Sequence, residues 1–150
     1  MDSIKIEDGV KRVCINGDES RVISFNPKDV ALFESFYAMY RDMLRAAEEY
    51  DARAREIDAV TGVDDLGLPI NAPEKMAFMR ESVEYWHGQI DALFGEGTSE
   101  TVFQGALDMD AVMQFLEGLT QFFQEVRMEK TQKYRPPAKR AKARPKARSK

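Results

Sequence analysis

Apolar residues in this chain are spaced first by two, then by three and four. Ile4 and Ile6 alternate with polar residues ahead of Asp8-Gly9, and Val13 and Ile15 share one face of the run 10–15. Val22, Ile23 and Phe25 return after Asn16-Gly17, a dipeptide that tolerates positive φ and so favours a tight turn. The pattern predicts a two- or three-stranded antiparallel ribbon. Its register stays open, because the connection NGDES is longer than a two-residue loop. A ribbon this small is not stable alone and must pack on a helix.

Beyond Asn26-Pro27 the period becomes helical. Asn is a favoured N-cap, proline is tolerated in the first turn, and Asp29 adds charge beside the positive helix end. Val30, Phe33, Tyr37, Tyr40, Leu44 and Ala47 form a stripe that Ile57 and Val60 extend and that Phe36 and Met43 widen. This predicts a helix from Pro27 to about Val60. Its far half, EEYDARAREIDAV, is more charged with a thinner stripe, so it is expected to stand away from the core or meet a partner. Residues 61–71 read as a loop. Asn71, Pro73 and Glu74 repeat the start signal, and Met76, Met79, Val83, Trp86, Ile90 and Leu93 follow at heptad spacing. That seam suits an antiparallel pairing with the first helix, which offers a matching stripe; pairing with another chain stays open.

A third helix is expected after Asp108, with Val112, Phe115, Leu116, Leu119, Phe122, Phe123 and Val126 on its apolar face and Gly118 inside it. It should fade near Tyr134 and end at Pro136-Pro137. The fold class predicted is therefore mainly α with a small N-terminal antiparallel β-ribbon (α+β): three helices, two of them long. Residues 1–134 form the ribbon-plus-helix domain, and 135–150 form a disordered Lys/Arg-rich tail with too little apolar surface to offset its ordering entropy.

Composition changes this picture in one respect. The formal net charge of −4 is an average. Residues 127–150 hold eleven of the 22 Lys and Arg but one of the 26 Asp and Glu, so they carry +10 and the remainder −14. The tail cations Lys139, Arg140, Lys142, Arg144, Lys146, Arg148 and Lys150 can neutralise phosphates, contact an acidic protein, fold back on the acidic body, or simply aid solubility. They have no aromatic neighbours on which bases could stack. No apolar run approaches the roughly 20 residues of a membrane span, and the N-terminus has no secretory pattern. The expectation is a cytoplasmic protein in a bacterial host, not secreted and without a membrane partner.

Candidate chemistry is sparse. One cysteine, Cys14, rules out an intrachain disulfide, and one histidine, His87, leaves too few ligands for a structural zinc site. Cys14 reads as a small hydrophobe in a strand and His87 as a surface or half-buried helix residue. The carboxylate pairs Asp64-Asp65, Asp108 with Asp110, and Glu48-Glu49 suit solvated or helix-start roles better than acid–base or Mg²⁺ chemistry. The stretch FGEGTSETVFQG (94–105) resembles a phosphate loop only at first sight. It follows a helix, has no lysine, and carries Glu96 and Glu100. Gly95 fits a helix end, and Thr98 or Ser99 can cap a short turn that buries Val102 and Phe103. No nucleophile–base–orienter set can be named, so the expectation is no enzyme and no cofactor.

The succession INGDESRVISFNP, DVALFESFYAMY and IDALFGEGTSETVFQG, then a Phe-rich helix and a Lys-rich end, resembles the small tail assembly chaperones of siphophages and prophages of Gram-positive bacteria. The corner carrying the likeness is Asp91, Phe94, Gly95, Gly97 and Thr98, followed by Phe103 and Gly105. The resemblance implies a binding protein that holds the long helical tape-measure protein before the tube polymerises; in many relatives a frameshifted longer form recruits the tail-tube protein through its extension. Tyr50, Ile57 and Val60 are the candidate contacts, as apolar positions left over from the core. The seam also permits a homo-oligomer. The rival reading is a nucleic-acid-associated protein acting through the basic tail.

Overall fold

The structure, a computed structural model, describes residues 1–133, with side chains through Gln124. The expected tail from Arg135 and the Val126 side chain lie outside the described residues.

Strands β1 (Lys11–Ile15) and β2 (Asp18–Phe25) form an antiparallel hairpin, with Lys11 opposite Phe25 and Val13 opposite Ile23. Only Asn16 and Gly17 separate the strands, at φ of 54° and 74°. NGDES is therefore not a long loop, because Asp18 to Ser20 already belong to β2, and a register shift between Cys14 and Ile15 absorbs the mismatch. Residues 1–10 add no third strand, and Ile4 and Ile6 stand exposed. Cys14 lies in a strand as expected, but on its exposed face.

Helix α1 (Val30–Asp58) begins later than the Asn26-Pro27 signal suggests. Asp29 is its cap, accepting from the amides of Ala31 and Leu32 at 2.9 and 3.4 Å. Asn26 instead accepts from the Lys28 amide and donates to the Asp8 carbonyl. The buried face is also rotated from the expected one. Phe36, Met39 and Met43 point inward, while Val30, Tyr37, Leu44 and Val60 are about half exposed. The physical reason is the Phe36 ring, which stacks on Phe123 at 4.8 Å and meets Phe94 edge-on.

Helix α2 (Ala72–Phe94) pairs with α1, as the seam suggested. Asn71 does not cap it; its side-chain amide donates to the Ile57 carbonyl at 3.1 Å and so ties the two helix ends together. Arg53 with Glu74 and Lys75 with Asp58 add ion pairs at the same end, each about half exposed and worth no more than about 1 kcal/mol. In the intervening loop, the Asp64 carboxylate accepts from the amides of Leu66 and Leu68, a local turn role. A six-residue helix α3 (Thr98–Phe103) and a long helix α4 (Met109–Lys133) complete the described residues. The described helices thus number four rather than three, and three of them are long. Asp108 caps α4 as expected. Val112, Leu116, Leu119 and Phe123 are all buried on its inner face.

The core sits where β2, α1, α2 and α4 meet. Phe25, Phe33, Phe36, Phe94 and Phe123 pack there with ring centroids 4.8–6.3 Å apart. Among the described residues no helix is long and apolar enough to cross a membrane.

Candidate apolar groove

Helix α4 starts level with Met43–Tyr50 of α1 and Phe78–Trp86 of α2, so among the described residues no third helix lies against the far part of the α1–α2 hairpin. The step leaves an open groove of about 1070 Å³. Tyr50, Phe78, Met79 and Trp86 line the hairpin side, and Leu107, Met109 and Met113 line the other. Tyr50 and Phe78 rest ring on ring at 4.9 Å and form a firm wall. The methionines, with Met43 at the base, bring flexible, polarisable side chains that can fit more than one apolar shape.

The groove margin is negative. Among the described residues Asp42, Glu49, Asp51, Asp108 and Asp110 border it against one cation, Arg53, whose guanidinium is engaged by Glu56 and Glu74. An apolar floor with a carboxylate rim suits an amphipathic helix flanked by Lys or Arg. Among the described residues no group of three or more His, Cys, Asp or Glu could hold a metal ion.

Of the sequence candidates, Tyr50 lines the groove. Ile57 is 1% exposed, held inside the α1–α2 hairpin, and is not free to touch a partner. Val60 is exposed, just past the C-terminal end of α1 and outside the groove lining. The tail residues Lys139, Arg140, Lys142, Arg144, Lys146, Arg148 and Lys150 lie outside the described residues. Met79, Trp86, Met109 and Met113 were not singled out as contacts from sequence. The usable signal was a methionine surplus within the heptad seam, where Met76 and Met79 remain 63% and 45% exposed.

The corner residues do come together, as a structural unit. Gly95 closes α2 at φ 114°, donating to the Asp91 carbonyl. Thr98 donates its hydroxyl to the Gly95 carbonyl at 2.7 Å. Asp91 reaches forward to accept from the Ser99 amide at 2.7 Å and the Ser99 hydroxyl at 2.9 Å. The Asp91 carboxylate thus caps α3 from α2. At the other end of α3, Arg21 of β2 donates to the carbonyls of Thr101 and Val102, where a cation complements the helix dipole. Phe94 meets Phe25, Phe36 and Phe115.

His87 lies flat on Phe103, centroids 4.6 Å apart. Its Nε2 is buried and meets no hydrogen-bond partner among the described residues. Burial lowers its pKa below the usual histidine value, and Asp91, Glu84 and Glu100 oppose that shift in part. The folded state therefore binds its proton less readily than the unfolded chain. Stability linked to His87 is complete above about pH 6.5 and declines as the pH falls below it. His87→Phe is expected to remove this component, so urea midpoints of variant and wild type should diverge between about pH 7 and 5.

Residues 16–148 match the model of a family of unknown function, DUF6673, and the chain belongs to that family. No curated protein and no solved structure matches the chain.

Proposed function

We propose that this DUF6673 protein is a helix-binding chaperone of phage tail assembly, which shelters an amphipathic segment of a tape-measure protein before the tail tube forms around it. The observation that carries this reading is the methionine- and aromatic-lined groove with its carboxylate rim. Tape-measure helices need their apolar stripes covered until tube subunits arrive, and an adaptable groove can hold many such stripes in turn. The likeness of the Asp91–Thr98 corner to the tail chaperones supplies the biological setting, and the groove supplies the physical means.

The test uses the only tryptophan, Trp86, which lines the groove. A helical peptide of about 20 residues with a Leu/Met stripe flanked by Lys is expected to change its fluorescence, and a peptide with Glu in place of Lys to bind more weakly. Met79→Asp is expected to weaken binding about 10–100-fold with little effect on the urea midpoint, because Met79 is half exposed. Equal binding of both peptides, or no effect of Met79→Asp, counts against the reading. The +10 charge of residues 127–150 favours a second reading, phosphate contact through the tail. In that case removing residues 135–150 abolishes association with nucleic acid, about 0.5 M salt does the same, and the groove variant is silent.

A further inference from the structure

Among the described residues the β1 edge of the hairpin is open. The sheet contains β1 and β2 alone. Strand β2 is held against α3 by Arg21. No backbone group of Lys11–Ile15 bonds outside the hairpin among the described residues. An unpaired strand edge is a template for another strand.

Beside that strand lies a second cavity of about 250 Å³, between Val13 and Ile15 on one side and Phe115, Gly118, Leu119 and Phe122 of α4 on the other. It is apolar, and Gly118 opens it further, since a Cβ there would meet nothing within 4 Å. Gly118 weakens its helix by up to about 1 kcal/mol relative to alanine, and no close packing among the described residues requires it. Room for a branched aliphatic side chain next to an open strand edge is the geometry of strand addition.

The chain contains a segment that fits. Ile4 and Ile6 alternate with Ser3, Lys5 and Glu7, yet they are 89% and 83% exposed. They do not pair with their own hairpin. The Asp8 carbonyl accepts from the Asn26 side chain at 3.1 Å, and Gly9, at φ 69°, packs so closely that a Cβ would lie 2.8 Å from the Asn26 Oδ1. Asn26 continues β2, so this tie holds Asp8 and Gly9 beside the end of β2. Ser3–Glu7 carries one cation, Lys5, and one anion, Glu7, while β1 exposes Lys11 and Arg12. Those cations deter an indiscriminate strand, and Glu7 is the residue of the segment able to pair with them.

We propose that Ser3–Glu7 of one copy adds as a strand to the β1 edge of a second copy, seating an isoleucine in the cavity over Gly118, and that the exchange is reciprocal across a two-fold axis. Both copies then bury an otherwise exposed apolar segment and satisfy an unpaired edge. This dimer contact lies at the ribbon and leaves the groove between α1, α2 and α4 free.

Sedimentation equilibrium of the full chain tests it. The wild type is expected to dimerise below about 100 µM, and Ile4→Asp/Ile6→Asp to weaken dimerisation at least about 100-fold. The urea midpoint of that variant should match the wild-type monomer, because both side chains are exposed there. Gly118→Leu fills the cavity from the other side and is expected to give the same loss while α4 stays helical by circular dichroism. A wild type that is monomeric at 100 µM overturns the proposal. So does a dimer that survives either variant, which would place the contact elsewhere.

Discussion

Phe123→Ala is expected to lower the unfolding free energy by about 3–5 kcal/mol. Phe123 has no exposed surface, and its ring meets Phe25 of β2 at 5.7 Å, Phe33 at 5.5 Å and Phe36 of α1 at 4.8 Å. Truncation loses the transfer free energy of the ring and leaves a cavity facing β2 and α1, which cannot both close on it. With a typical total stability of about 5–15 kcal/mol, this removes a large share. Leu44→Ala provides the control: Leu44 is 50% exposed on α1 and should cost under about 1 kcal/mol. Urea unfolding followed by Trp86 fluorescence measures both. A loss below about 1 kcal/mol for Phe123→Ala would mean that the aromatic cluster is not the packed centre of the fold.

The same cluster shows what was legible in the sequence. Helical periodicity places α4 well, because its apolar face is continuous and Asp108 caps it unaided by distant residues. The heptad seam of α2 and the pairing of α2 with α1 were also legible. The inward face of α1 was not. Its apolar positions cover more than half the helix circumference, and the choice between Tyr37 and Phe36 depends on where Phe123 and Phe94 arrive from other elements. The N-terminal alternation of Ile4 and Ile6 suggested β structure, but residues 1–10 form no strand, and the Asn26 side chain donates to the Asp8 carbonyl instead.

The groove was the least legible feature. It arises because α4 begins part-way along the α1–α2 hairpin, an offset fixed by the length of the α3 corner and not by any local motif. Ile57 illustrates the difficulty: by spacing it looks left over, yet Asn71 folds across the end of α1 and Ile57 is enclosed. The thin stripe on the far half of α1 suggested that this half stands away from the core or meets a partner; in the structure it packs on α2, with Ile57 buried and Tyr50 against Phe78. Tyr50, within that half, is the one sequence candidate that the structure brings to the groove wall.

Asp91→Ala is expected to cost about 2–3 kcal/mol, although the residue belongs to no catalytic set. Its carboxylate is the acceptor for both the Ser99 amide and the Ser99 hydroxyl, and Ser99 is 8% exposed. Removing the acceptor leaves two buried donors unpaired at the start of a six-residue helix too short to hold itself together. Val102 and Phe103 then lose their seat, and His87 loses the ring on which it lies. Asp91→Asn keeps one acceptor oxygen and should cost about half as much; Ser99→Ala removes the hydroxyl alone and should cost about 1 kcal/mol. A double-mutant cycle between positions 91 and 99 is expected to show coupling of at least about 0.5 kcal/mol, and additive losses would show that the corner is held by Gly95 and Phe94 instead. The tail-chaperone likeness proposed for the corner would then reflect helix termination alone. Strong coupling would tie it to the placing of α3, from which α4 departs, and hence to the offset that opens the groove.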